Sequence, residues 1–167
     1  MRISSLVQLK KTEITIRKPI YVGMSILDIS KTHMYGFHSF MKSKLGGTCA
    51  LLYTDTDSLI YHVQNIDIYE FMKNNLEKFD TSDYPPYNIY GMPRVNKKQL
   101  GYFKDECNSL PMTKLIVLRS KMYAAVIQGQ QQPIKKAKGV KSGVVRRELN
   151  FADYEDSLFN AEVKTIR

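Results

Sequence analysis

A chain of 167 residues, 43% hydrophobic and 11% aromatic, is long enough to bury one core, which excludes global disorder. Its longest apolar stretches, such as Leu115–Leu118 and Ala124–Ile127, fall far short of the ~20 residues that cross a bilayer, and Lys10, Lys11 and Glu13 interrupt any secretory apolar run. Cys49 and Cys107 form no CxxC pair and have no paired His, which excludes a disulfide scaffold and a structural zinc site and indicates a reduced, intracellular compartment.

The net charge of +9 is unevenly spread. Residues 1–48 carry eight Lys/Arg against Glu13 and Asp28, and residues 49–103 carry five against seven acids. Residues 104–147 carry ten against Asp105 and Glu106, and the last twenty are acidic again. An acidic middle between two basic blocks fits a metal or acid site beside a surface for polyanions. A solvated basic face is the plainer reading, and composition gives nucleic acid only a modest edge over it.

The first fifteen or so residues lack periodicity. From Pro19, suited to a helix start, a helix is expected to about Met41, with Val22, Ile26, Ile29, His33, Phe37 and Phe40 as its apolar stripe. Gly46-Gly47 ends it. Cys49–Thr54 and Ser58–Val63, separated by Asp55-Thr56-Asp57, read as a β-hairpin. Asp67 caps a second helix, with Glu70 at the capping-box position and Phe71, Met72, Leu76 and Phe79 on its buried side. Residues 80–99, with Pro85, Pro86, Gly91 and Pro93, read as a long loop of functional or family-specific character. Strands follow at Leu100–Glu106, Lys114–Leu118 and Met122–Ile127, the last two joined tightly around Arg119-Ser120. A break at Gly129–Pro133 precedes a basic extended segment, Ile134–Val140, and Asn150 caps a short helix holding Phe151, Tyr154, Leu158 and Phe159. The absence of βαβ alternation predicts an α+β fold with an antiparallel sheet.

The Asp55-Thr56-Asp57 turn carries the most chemistry. Asp is an ordinary turn residue, but here both flanking arms are apolar, and residues i and i+2 of an extended chain share a side. Two carboxylates so placed repel one another unless a cation sits beside them. Oxygen ligands of this kind suit Mg²⁺, and a pair of such ions serves phosphoryl transfer.

Tyr53-Thr54-Asp55-Thr56-Asp57-Ser58-Leu59 resembles motif C, the YxDTDS hairpin signature of family-B DNA polymerases. Other pieces recur in the family's order. Leu118-Arg119-Ser120-Lys121-Met122-Tyr123 resembles the KxY motif, which holds the primer terminus. Lys135-Lys136-Ala137-Lys138-Gly139-Val140 resembles the basic palm-to-thumb segment that grips the duplex. Leu100–Glu106 resembles the strand between motif C and KxY in the protein-primed branch, which includes viral and self-synthesising-transposon polymerases.

The resemblance covers roughly residues 17–159. It implies an antiparallel palm-type sheet with packed helices over residues 1–130 and, over 131–167, a small basic extended and helical beginning of a thumb. It assigns Asp55 and Asp57 as catalytic metal ligands for two Mg²⁺ ions, with Mn²⁺ as a substitute. Arg119, Lys121, Tyr123, Lys136, Lys138 and Gly139 are assigned to DNA, and Tyr53 and Thr56 to the nucleotide. Glu106 is a weaker candidate near the metal. The implied partners are a DNA primer–template, deoxynucleoside triphosphates and, from the branch, a terminal protein primer, with a nuclear or virus-associated setting.

The departures are equally specific. Neither a motif A segment of DxxSLYPS type nor a motif B segment of KxxxNSxYG type occurs, and Asp28 has the wrong flanks for motif A. The expected function is therefore a fragment of a DNA-directed DNA polymerase, inactive alone, from an incomplete gene product, a decayed mobile element or a longer reading frame. The alternative is a non-catalytic nucleic-acid-binding remnant. A reverse transcriptase fits less well, because its palm turn carries adjacent aspartates.

Overall fold

The computed structural model describes residues 18–165; the unpatterned first fifteen residues lie outside that range. Helix α1 (Ile20–Leu45) begins after Pro19 and runs past Met41 to Gly46. Gly46 has φ +56° and its N–H donates to the Lys42 carbonyl; a left-handed residue just past a helix end costs least as glycine. The Lys42 ammonium also donates to the carbonyls of Gly46 at 3.1 Å and Cys49 at 3.0 Å.

The buried face of α1 differs from the expected stripe. Met34, Phe37, Met41 and Leu45 are buried, whereas Val22, Ile26 and Ile29 are exposed. The first core, which contains Phe37, Met41, Leu45, Cys49, Met72, Phe79, Tyr84 and Met92, packs only on the C-terminal part of the helix. Periodicity therefore identified the helix but not the stretch of it that is covered.

Strands β1 (Cys49–Asp55) and β2 (Ser58–Val63) form the expected antiparallel hairpin, with Asp55 opposite Ser58. A register shift between Leu51 and Tyr53 breaks the alternation. Tyr53 is buried while Leu51 and Leu52 are exposed, the re-aiming a bulge produces. Helix α2 (Ile68–Lys73) is capped by Asp67, which accepts from the N–H groups of Tyr69 (2.9 Å) and Glu70 (3.1 Å). Glu70 completes no capping box; its carboxylate pairs with Lys73 at 2.8 Å. The helix is also shorter than expected. The Asn75 side chain donates to the Phe71 carbonyl at 2.8 Å, a local bond that competes with helix continuation. Leu76 lies in a 3₁₀ turn (Leu76–Lys78), and Phe79 in β3 (Phe79–Asp80).

The long loop holds itself in place through side chain to backbone bonds. Thr81, fully buried, donates to the Pro93 carbonyl at 2.6 Å. Asn96 donates to the carbonyls of Leu76 and Phe79 at 2.7 and 3.0 Å. The strand expected over Leu100–Glu106 shrinks to β4 (Phe103–Lys104), paired in parallel with β3. Gly101 at φ +82° turns the chain before it. After it, the Asp105 carboxylate accepts from the N–H groups of Cys107 (2.8 Å) and Ser109 (2.7 Å) and from the Tyr84 hydroxyl (3.0 Å), which bends the backbone away from any sheet.

Strands β5 (Met112–Arg119), β6 (Met122–Ile127) and β7 (Ile134–Ala137) form an antiparallel sheet in that order. Arg119 pairs with Met122, so the β5–β6 turn is Ser120-Lys121, one residue later than expected, and Lys121 takes φ +58°. Helix α3 (Ser142–Glu148) was not expected, since its basic sequence offers only Val144 and Val145 as apolar residues. Helix α4 (Phe151–Phe159) starts at Asn150 in a complete capping box with Asp153. Ile116, Ala124 and Tyr154 form a second core, with Leu118, Met122, Leu149 and Phe151 against it. The architecture is mixed α+β with small, mainly antiparallel sheets. Among the described residues no helix is long and apolar enough to cross a membrane.

Candidate functional site

The two hairpin tips singled out in the sequence, Tyr53–Ser58 and Arg119–Tyr123, meet. The backbone N–H of Lys121 donates to the Tyr53 hydroxyl at 2.9 Å, and the Tyr53 and Tyr123 rings lie 5.0 Å apart between centroids. The Lys121 ammonium reaches Asp55 Oδ1 at 2.9 Å, and the Thr56 hydroxyl donates to the same oxygen at 3.1 Å. The positive φ of Lys121 allows this arrangement: it closes the β5–β6 turn and aims the N–H at the facing hairpin.

Lys121 holds the Asp55 carboxyl below the ordinary aspartate range through its hydrogen bond and charge, with a smaller contribution from Lys138. Asp55 in turn raises the Lys121 ammonium, and Asp57 adds to that rise. Burial pushes the Tyr123 hydroxyl up, with Tyr53 and Asp55 adding to it. Asp57 therefore lies within electrostatic range of the same ammonium, although it is exposed at the turn. The same-side argument from an extended chain does not apply here. Thr56 stands at φ +42°, and Asp57 donates its N–H to the Asp55 carbonyl, so the backbone reverses between the two carboxylates.

Of the remaining candidates, Lys138 joins this site. Its N–H donates to the Lys121 carbonyl at 3.0 Å. Lys136 pairs with Tyr123 across β6–β7, and its carbonyl accepts from the Tyr154 hydroxyl at 3.0 Å. Gly139 stands at φ +90° just after β7, where glycine is favoured. Arg119 is exposed at the end of β5 and makes no ion pair among the described residues. Glu106 is exposed in the turn after β4, away from this constellation in the hydrogen-bond and ion-pair network. Sequence reasoning missed the Lys121–Asp55 pair, because nothing in either motif signals that residues so far apart would touch.

The resemblance implies a Mg²⁺ pair held at this turn. Among the described residues no group of three or more His, Cys, Asp or Glu stands close enough to hold a metal ion. Asp55 Oδ1 already accepts from an ammonium and a hydroxyl. These residues do not by themselves fit a two-ion site. What they form is an acidic turn compensated by an internal lysine. Compared with known proteins, the chain matches no family model, no curated protein and no solved structure.

Proposed function

We propose that this chain is part of a family-B DNA-directed DNA polymerase, contributing the C-terminal portion of the palm and the beginning of the thumb. The observation that supports this reading most directly is the junction itself. A YTDTDS hairpin and a KMY hairpin, which the resemblance assigns to metal chemistry and to the primer end, lie tip to tip through Tyr53, Lys121 and Asp55. In the complete enzyme a primer 3′-hydroxyl would attack the α-phosphate of a deoxynucleoside triphosphate, releasing pyrophosphate. In this reading Asp55 and Asp57 belong to the catalytic centre, Lys121 and Tyr123 hold the primer end, and Tyr53 and Thr56 border the nucleotide. A further carboxylate from elsewhere in the polymerase would have to complete the site, so the chain alone is proposed not to extend a primer.

A second reading, a nucleic-acid-binding remnant without catalysis, is favoured by one observation. The Lys121 ammonium already occupies Asp55 Oδ1 in an ion pair at 2.9 Å. Binding to a recessed 3′ end separates the two. Fluorescence anisotropy with blunt and recessed duplexes of equal length should show tighter binding to the recessed one. Tyr123→Phe, which keeps the ring against Tyr53 but removes the hydroxyl, should reduce that preference. Equal affinity of the unaltered chain for both duplexes would defeat the polymerase reading and leave the remnant.

A further inference from the structure

Lys121 is held at the hairpin junction by its backbone as well as by its side chain. Its N–H donates to the Tyr53 hydroxyl at 2.9 Å, and its carbonyl accepts from the Lys138 N–H at 3.0 Å. One partner belongs to β1 and the other follows β7, so two other elements fix the point from which the ammonium reaches out. The ammonium meets Asp55 Oδ1 at 2.9 Å, the oxygen that also accepts from the Thr56 hydroxyl at 3.1 Å. A second positive charge, that of Lys138, acts on the same carboxylate. Among the described residues no His, Cys, Asp or Glu joins Asp55 and Asp57 as a third metal donor.

We infer that Lys121 is the resident cation of the Asp55 turn and competes with divalent ions for its carboxylate, so that the chain, under either reading of its function, keeps Asp55 closed to Mg²⁺. Two carboxylates in one turn need a positive charge beside them, and the ammonium supplies it from within the chain. Mg²⁺ demands a near-octahedral oxygen shell, whereas an ammonium needs only acceptors within reach of its three donors. Seated on either Asp55 oxygen, Mg²⁺ would lie ~4–5 Å from the ammonium, and the repulsion between charges of +2 and +1 at that separation in water weakens binding roughly ten- to thirtyfold. To avoid that repulsion the ammonium would have to give up its ion pair, while the Tyr53 and Lys138 bonds keep its backbone at the junction.

The test follows the Asp carboxyl carbons of the full chain by carbon-detected NMR as Mg²⁺ is added at neutral pH and low ionic strength. In the unaltered chain Asp55 should respond at Mg²⁺ concentrations no lower than those that move Asp28, an exposed carboxylate with no ion pair among the described residues. Lys121→Met should lower the Asp55 midpoint roughly ten- to thirtyfold. Lys121→Arg, which restores a cation at the junction, should return the midpoint to that of the unaltered chain. Lys97→Met, which removes the same charge from an exposed position in the long loop, should leave it unchanged. A second measurement needs no variant: the Lys121 side-chain nitrogen signal of the unaltered chain should stay in place until Asp28 itself responds.

Equal Asp55 midpoints in the unaltered and Lys121→Met chains would overturn the inference. So would a Lys121 nitrogen signal that moves at Mg²⁺ concentrations well below those affecting Asp28, a result that would favour the metal assignment instead. A chain that excludes Mg²⁺ from Asp55 through Lys121 yet shows no preference for a recessed end would sustain the inference and count against the polymerase reading alone.

Discussion

The Lys121 backbone N–H and the Tyr53 hydroxyl meet at 2.9 Å across 68 residues of sequence, and this bond ties the β1–β2 hairpin to the β5–β6 hairpin. Tyr53 is buried, so its hydroxyl has exchanged water for one protein donor. The Tyr123 ring closes one side at 5.0 Å, and the Lys121 ammonium extends past it to Asp55.

Tyr53→Phe tests that bond in isolation. The ring and its contact with Tyr123 remain, but the Lys121 N–H loses its acceptor. Leaving a buried donor unpaired costs about 1–3 kcal/mol, and the expected loss lies in the lower half of that range because the site is only partly buried. Equilibrium denaturation in guanidinium chloride measures it. An unchanged midpoint with an unchanged m-value would mean the bond contributes nothing.

The Asp55–Lys121 pair makes a pH prediction with two signs. Asp55 has a folded pKa below its unfolded one. Its stabilising contribution is complete above the ordinary aspartate value and disappears as pH falls through the depressed folded value. Lys121 has a folded pKa above its unfolded one, so its contribution is complete below the ordinary lysine value and disappears as pH rises through the raised one. The pair should therefore add no pH dependence across the neutral range. In a carbon-detected NMR titration, Lys121→Met should move the Asp55 carboxyl midpoint upward. Lys138→Gln should move it in the same direction by less, since its charge is the weaker cause. A midpoint unmoved by Lys121→Met would show that the pair does not form in solution.

Helix α1 should respond unevenly to truncation. Phe37 is buried, stacked on Phe103 at 3.7 Å and set edge-on to Phe79 at 5.7 Å. Phe37→Ala should cost about 3–5 kcal/mol, as the transfer and cavity penalties combine. Ile26 is 61% exposed, so Ile26→Ala should change stability by no more than ~0.5 kcal/mol. Thermal and chemical denaturation of the two variants checks the contrast. Similar losses would mean that the N-terminal half of α1 is packed in solution.

By itself, the sequence determined the elements whose signals are local. Pro19 and Gly46 bracketed α1, Asp67 and Asn150 marked two helix starts, and two apolar runs either side of Asp55-Thr56-Asp57 specified the β1–β2 hairpin. Such signals are readable because caps and tight turns are set by residues within a few positions of one another. Tertiary structure decided the rest. Which half of α1 is covered depends on where Phe79 and Phe103 arrive, and the shortness of β4 depends on the Asp105 carboxylate drawing in Tyr84, Cys107 and Ser109. Helix α3 has little apolar periodicity of its own; Lys135 closes its end from a neighbouring strand. The junction of Tyr53, Asp55 and Lys121 is the clearest case. Each residue was legible as a candidate, but their contact depends on two separate cores presenting their hairpin tips to each other, a long-range geometry that no local pattern encodes.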